Sequence, residues 1–185
     1  MKELFFITSN KGKAVESKEL FSKSGIDVVQ KNLGYPEIQA NTLDEVAFFG
    51  AEFVKNKIDQ PFFLEDAGLF IDTLNGFPGV YSAYVFHSIG CKGILKLMKD
   101  VENRNATFRS VIAYCETGKE PVIIIGECKG AISEKEIGKN GFGYDPIFIP
   151  KGQKRTFAQM ETDEKNKFSH RGKSLHKLLD FFKRR

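Results

Sequence analysis

Residues 42–54 constrain the fold more than any other part of the chain. Leu43, Val46, Ala47, Gly50, Ala51 and Val54 fall at i, i+3, i+4, i+7, i+8 and i+11, a continuous apolar stripe on one face of a helix. Thr42 and Glu45 have the spacing of a capping box, in which each side chain satisfies the other residue's free amide. Such a stripe must be buried against another layer, and the small Gly50 and Ala51 within it predict a close approach to a sheet. Strands are legible on both sides of it. Residues 4–9 read as a short buried strand, followed by a polar turn and a helix through about Ser24. Gly25 stops that helix before a second strand at residues 26–30. Residues 61–65 form an apolar strand that ends in acid. After a glycine-rich crossing, residues 93–99 predict a short helix with Ile94, Leu97 and Met98 facing inward. Residues 106–115 and 121–128 read as long strands joined through Gly118, hence an antiparallel hairpin. A last helix carries Leu175, Leu178, Leu179 and Phe182 on one face. Early βαβ-like units followed by a hairpin predict an α/β chain with mixed α+β character, a mixed sheet with helices packed on it.

Residues 1–185 show no internal repeat, low-complexity stretch or Pro/Ser-rich linker, so one domain is expected. Hydrophobic residues at 41% and charged residues at 28% fit a globular chain rather than a disordered or membrane one. The longest apolar runs are short, residues 122–125 for example, so no membrane span is expected. The start of the sequence lacks the apolar region of a signal peptide, which points to a cytoplasmic protein. Cys91, Cys115 and Cys128 are odd in number and lack metal-ligand spacing, so they read as buried thiols. Lys plus Arg number 28 against 24 Asp plus Glu, a net +4. Much of that excess lies in the tail Lys183-Arg184-Arg185, a solvated helix end rather than a nucleic-acid patch. Eighteen phenylalanines and no tryptophan mean that most rings are core. Only rings beside polar or glycine-rich motifs are functional candidates.

Four such motifs stand out. Thr8-Ser9-Asn10-Lys11-Gly12-Lys13 lies where a strand meets a helix N-terminus, where free amides and the helix dipole favour a phosphate. The spacing is not that of a Walker A loop, and an ordinary Ser/Asn cap followed by exposed lysines also accounts for it. Glu65-Asp66-Ala67-Gly68-Leu69 places adjacent carboxylates at a strand end, pointing to opposite faces, so one of them is expected to face a site. Carboxylates near a phosphate require a hard cation between them, and Mg2+ takes such oxygen ligands; Glu37, after Pro36, is a second carboxylate for the same ion. A simple acidic turn is the competing reading of Asp66 and Gly68. Gly138-Lys-Asn-Gly-Phe-Gly-Tyr-Asp-Pro-Ile-Phe148 combines glycines that admit close backbone approach with the rings of Phe142 and Tyr144 for a base. Asp145, before Pro146, is held in an extended geometry. Ser169-His170-Arg171-Gly172-Lys173 caps the last helix and offers the Arg171 fork at an anion-favouring end, with Lys165 upstream. His87 and His176 have no such context, and His176 reads as a surface residue. Phe77-Pro-Gly-Val-Tyr-Ser-Ala83 positions backbone rather than performing chemistry.

In this order the motifs resemble the inosine triphosphate pyrophosphatase family, which acts on nonstandard purine triphosphates; the resemblance runs from residue 4 to about residue 180. It implies an elongated mixed β-sheet with two lobes, the nucleotide in a central cleft, and usually a homodimer. It further implies triphosphate contacts from Thr8, Ser9, Asn10, Lys11, Gly12 and Lys13, and Mg2+ held by Glu37 and Asp66, with Asp66 as catalytic base. The resemblance also implies that Ala67 lies beside the nucleotide and that Phe142, Gly143, Tyr144 and Asp145 line a base pocket completed by Lys165, His170 and Arg171. Two departures stand out. Ala67 replaces a serine common in relatives, and Gly50 stands where many relatives carry a helix lysine, which leaves one phosphate contact to Lys165 or another cation.

The implied reaction is Mg2+-dependent hydrolysis of ITP, dITP or XTP to the monophosphate and pyrophosphate. A carboxylate of pKa ~4 is a weak base toward water of pKa ~16, and the metal closes that gap. Donation from Arg171 and loop amides to a purine 6-keto oxygen would disfavour adenine, since leaving such groups unpaired costs a factor of ~10^4 or more. GTP shares that oxygen, and no residue visibly rejects its 2-amino group. Two alternatives stay open: a pyrophosphatase for modified pyrimidine or guanine nucleotides, and a non-catalytic nucleotide- or RNA-binding module, for which residues 106–115 offer only Phe108 and Arg109.

Overall fold

A computed structural model describes residues 3–36 and 38–184. Six strands form one mixed sheet in the order β2-β1-β3-β4-β5-β6. Strand β1 (Glu3–Ile7) lies parallel to both β2 (Asp27–Lys31) and β3 (Phe62–Ile71). From β3 onward the sheet is antiparallel, through β4 (Asn105–Cys115), β5 (Val122–Ile132) and the short edge β6 (Phe148–Pro150). The predicted hairpin is β4–β5, with Gly118 at positive φ in its turn. Each of its strands has 11 residues and spans roughly 35 Å, enough to serve two lobes.

The lobes have separate cores. On one face of the sheet, helix α1 (Lys11–Ser22) and helix α5 (His170–Lys183) bury Leu20, Phe21, Leu175 and Leu178 against Phe6, Phe63 and Tyr114. On the other face, helix α2 (Leu43–Lys55) lays Leu43, Ala47, Ala51 and Val54 over Phe5, Phe62, Leu64 and Val111. The predicted capping box of α2 is present, with both Thr42 and Glu45 bonded. At the far end of the sheet a third core gathers Leu69, Ile71, Ile94, Met98, Phe108, Phe148 and Phe157. Most of the phenylalanines are spent in these cores.

Three expectations need correction. Strand β3 does not stop at the acid pair but runs on to Ile71, because Ala67 to Ile71 pair with Ser110 to Ala106 of β4. The helix expected at residues 93–99 is the second half of α3 (Ser82–Leu97), which breaks at Gly90 (φ 60°, ψ −165°). Ile94 in that half and Met98 at its C-cap are buried, but Leu97 is 48% exposed.

Candidate functional site

A cleft of about 520 Å³ opens between the lobes. Its wall comprises the end of β1 with Thr8, Ser9 and Asn10, the first turn of α1 with Lys13, the middle of β3, the first half of α3, residues 142–145, Lys165, and the start of α5. Thr8, Ser9, Asn10, Lys13, Asp66, Ala67, Phe142, Gly143, Tyr144, Asp145, Lys165, His170 and Arg171 therefore border one space. Lys11 and Gly12 do not border it: Gly12 lies under the Phe142 ring, where a Cβ would stand 2.6 Å from Phe142 Cε1. Glu37 lies outside the described residues.

The strand period explains the two carboxylates. Phe62, Leu64 and Asp66 point to the α2 face, while Phe63 and Glu65 point to the α1/α5 face. The cleft crosses the sheet at this level, so both Glu65 and Asp66 border it, not one as expected. Their surroundings differ. Asp66 is half-buried, and its Oδ1 accepts the Ala67 amide at 3.0 Å. Glu65 is fully buried. It takes Lys13 Nζ at 2.9 Å, the Arg171 guanidinium at 3.1 Å and the Ser110 hydroxyl at 2.7 Å.

Glu65 is one link in a buried chain of alternating charge. Arg171 donates to Glu16 at 2.6 Å, Glu16 also accepts from Lys165 at 2.7 Å, and Lys165 reaches Asp145 at 2.6 Å. Asp145 in turn accepts the Phe142 amide at 2.8 Å and so fixes the glycine-rich loop. Phe142 covers this array, with Lys165 Nζ 5.0 Å and the Arg171 guanidinium 5.2 Å from its ring centre. Burial works against ionisation of Glu65, but Arg171 and Lys13 outweigh it and hold its carboxyl well below the usual range. Burial likewise opposes the charge on Glu16, and Arg171 with Lys165 reverses that effect. Asp145 goes the other way: burial, helped by Glu16, raises it despite Lys165. Burial would lower Arg171, but Glu65 and Glu16 more than compensate, so it stays charged.

His170 stacks on Phe108 with centroids 4.5 Å apart and planes within 9°. Burial, reinforced by the Arg171 charge, keeps it neutral, with a pKa well below the ordinary histidine value. Its Nδ1 and the Nε of Arg171 are buried polar atoms without partners among the described residues. Tyr144 donates to the Ser82 carbonyl at 3.1 Å and meets Phe86 edge-on at 5.3 Å. As expected, Ser169 caps α5 through the Gly172 amide at 3.0 Å, and Phe77–Ala83 serves the backbone, with Ser82 Oγ accepting the Leu69 amide at 2.8 Å. The three cysteines are free and buried, and His176 is exposed.

The two departures also find their places. Ala67 borders the cleft without a hydroxyl. Gly50 is covered by the Tyr35 ring, and a Cβ there would stand 2.9 Å from Tyr35 Cε2 and 3.1 Å from Leu64 Cδ2. Lys165 is committed to two carboxylates rather than free to stand in for a helix lysine. The reading of the sequence missed Glu16, and it passed over His87, which borders the cleft beside Phe86. Glu16 carried a usable signal: together with Ser17 it interrupts the buried stripe Ala14, Leu20, Phe21 of α1. His87 carried none, because it becomes a wall residue only through the path of α3.

The chemistry of the donors suits Mg2+, which binds through one or two carboxylates plus substrate phosphates, and Asp66 presents such oxygens at the cleft. Among the described residues no group of three His, Cys, Asp or Glu side chains forms a self-sufficient metal cage.

Comparison with known proteins gives the chain's relatives. A chain from Methanopyrus kandleri named dITP/XTP pyrophosphatase is 49% identical over 181 residues, 98% of this chain and 96% of that one. Its namesake from Thermococcus kodakarensis is 51% identical over 180 residues, 97% of each chain. The solved structure of a HAM1 protein from Coxiella burnetii superposes with a TM-score of 0.85 at 31% identity, covering all of both chains. The model of the Ham1 family matches residues 4–181, and the chain belongs to that family.

Proposed function

We propose that this chain hydrolyses nonstandard purine nucleoside triphosphates, dITP, XTP and ITP, to the monophosphate and pyrophosphate with Mg2+ as cofactor. One observation carries the reading: Asp66, Lys13, the 142–145 loop and Arg171 border a single cleft although they come from four separated segments. The names of the relatives supply the substrate class.

In this reading the first turn of α1 and Lys13 hold the phosphate tail, and Phe142, Tyr144 and His170 flank the base. Asp66, with Glu37, holds Mg2+, which when bound neutralises phosphate charge and acidifies water. Asp66 accepts a proton from the water that attacks the α-phosphorus. The α–β bridging P–O bond then breaks, and pyrophosphate leaves with the electron pair, its charge stabilised by Lys13 and the helix amides. Arg171 reads the 6-keto oxygen with the N–H groups that Glu16 and Glu65 leave over.

A nucleic-acid platform on β4 is not supported, since Phe108 is buried under His170 and Arg109 is paired with Asp44 and Glu127. We further propose a cytoplasmic homodimer. The exposed Phe77, Tyr81 and Tyr84 support the dimer, and the three buried free thiols suit a reducing compartment. No helix among the described residues is long and apolar enough to cross a membrane.

Pyrophosphate release from dITP, XTP, ITP, GTP and ATP, with Mg2+ and with chelator, tests the reading. Turnover of the first three only with metal is expected, as is its loss in Asp66→Asn at unchanged Tm. A preference for ATP overturns the base assignment, and substantial activity in Asp66→Asn overturns the base catalyst.

A further inference from the structure

The Glu65 carboxylate is shared by two neighbouring cations of the cleft, Lys13, assigned above to the phosphate tail, and Arg171, assigned to the base. Lys13, on the phosphate-facing helix, donates to Glu65 Oε2 at 2.9 Å and also to the Glu65 carbonyl at 2.8 Å. Arg171, at the base end, spreads one terminal nitrogen across both carboxylate oxygens at 3.1 and 3.3 Å. Its contact with Glu16 is much tighter, 2.6 Å. The Glu65 bond is therefore the slack half of the Arg171 clamp, and Lys13 competes for the same oxygen. Ser110 keeps the carboxylate from swinging away, since its hydroxyl donates to Oε1 at 2.7 Å. The side chain of Glu65 is only 1% exposed, so water cannot supply the missing partner if one cation leaves, whereas that of Lys13 is 16% exposed and can turn to a ligand.

From this geometry we infer that Glu65 is a positioning residue that couples the phosphate-holding Lys13 to the base-reading Arg171. When a phosphate tail draws Lys13 away, Oε2 closes fully on Arg171 and stiffens the guanidinium that faces the base. When a base restrains Arg171 first, Lys13 is held less firmly and is released to phosphate more readily. Binding at either end then favours binding at the other, and such coupling is reciprocal by linkage. The inference rests on the proposed placement of phosphate at Lys13 and base at Arg171.

The test uses the reaction products as separate probes of the two ends. The Kd of pyrophosphate is measured calorimetrically with Mg2+, with and without saturating dIMP, for the wild type and for Glu65→Gln. In the wild type dIMP tightens pyrophosphate about fivefold or more, within the usual range of such couplings. In Glu65→Gln the factor falls below about twofold. A purely structural role would weaken both ligands but leave their ratio intact. Kinetics give a second readout: discrimination between dITP and dATP in Glu65→Gln shrinks in kcat as well as in KM. If Glu65→Gln does not fold, Ser110→Ala, which frees the carboxylate without removing it, must at least halve the coupling. Wild-type coupling retained in the variant that is measured, or absent from the wild type, overturns the proposal. Loss of dITP and XTP turnover in the wild type would instead overturn the functional reading on which it rests.

Discussion

Replacing Gly172 by alanine sets helix propensity against tertiary packing. Gly172 is the third residue of α5, and alanine in a helix is favoured over glycine by about 1 kcal/mol. On propensity alone the variant should be more stable. The structure reverses the sign. A Cβ at Gly172 would overlap the Asn166 carbonyl oxygen and stand 2.7 Å from the Asn166 carbonyl carbon and 2.9 Å from its Cα. These are backbone atoms of α4 (Thr162–Asn166), and Asn166 is itself buried and bonded to the Glu16 carbonyl, so no side chain can simply rotate aside. Relief requires α5 to move off α4 by about 1 Å, an overpacking strain at the upper end of the usual 1–3 kcal/mol. The same movement stretches the Ser169 cap on the Gly172 amide without breaking it. After the propensity gain, a net loss of about 2 kcal/mol remains, and at this chain length each kcal/mol shifts Tm by about 2–4 °C. Thermal unfolding of Gly172→Ala should therefore show a midpoint about 4–8 °C below wild type. Because His170 and Arg171 immediately precede residue 172, KM for dITP should rise as well. A midpoint equal to or above the wild type would refute the packing argument.

Three further expectations follow from the same structure. His170 is held neutral by burial and by Arg171, so below pH ~6.5 the unfolded chain binds a proton that the folded chain refuses. Stability should fall by up to ~1.4 kcal/mol per pH unit as pH drops from 6.5 to 5, and His170→Phe should flatten that slope; an unchanged slope in denaturant titrations would contradict it. The thiols of Cys91 and Cys128 are pushed up to about 12 and about 11 by burial, and that of Cys115 is raised for the same reason. A disulfide exchange reagent at pH 8 should find no fast-reacting thiol in the native protein and three after denaturation. Thr42→Ala removes one half of the α2 capping box and should cost about 1 kcal/mol, read as a Tm drop with kcat unchanged.

Much of the fold was legible because its signals are local. The stripe and box of α2, the 106–115 and 121–128 strands and the stop at Gly25 each depend on neighbours within a few residues, and each is present. The end of β3 was not legible, because what carries it past Asp66 is pairing with β4, some forty residues away. The break in α3 was missed for a related reason: Gly90 adopts a positive φ where its Cβ would meet open space, so nothing in its own neighbourhood announces it.

For the site, residue types and their order identified the four segments and the chemistry each can do. Sequence alone also determined that Glu65 and Asp66 must face opposite ways, since alternation along a strand is a property of the backbone. Only the tertiary structure decided which carboxylates are bound by cations and which one meets the cleft half-open. Glu16 from α1, Glu65 from β3 and Asp145 from the glycine loop are neutralised by Lys13, Lys165 and Arg171, and the paired residues stand 20 or more positions apart in the chain, so none of the pairings is readable from spacing. The physical reason is that a buried charge is tolerable only beside its counter-charge, and the partner is chosen by how distant segments pack rather than by what stands next in the chain.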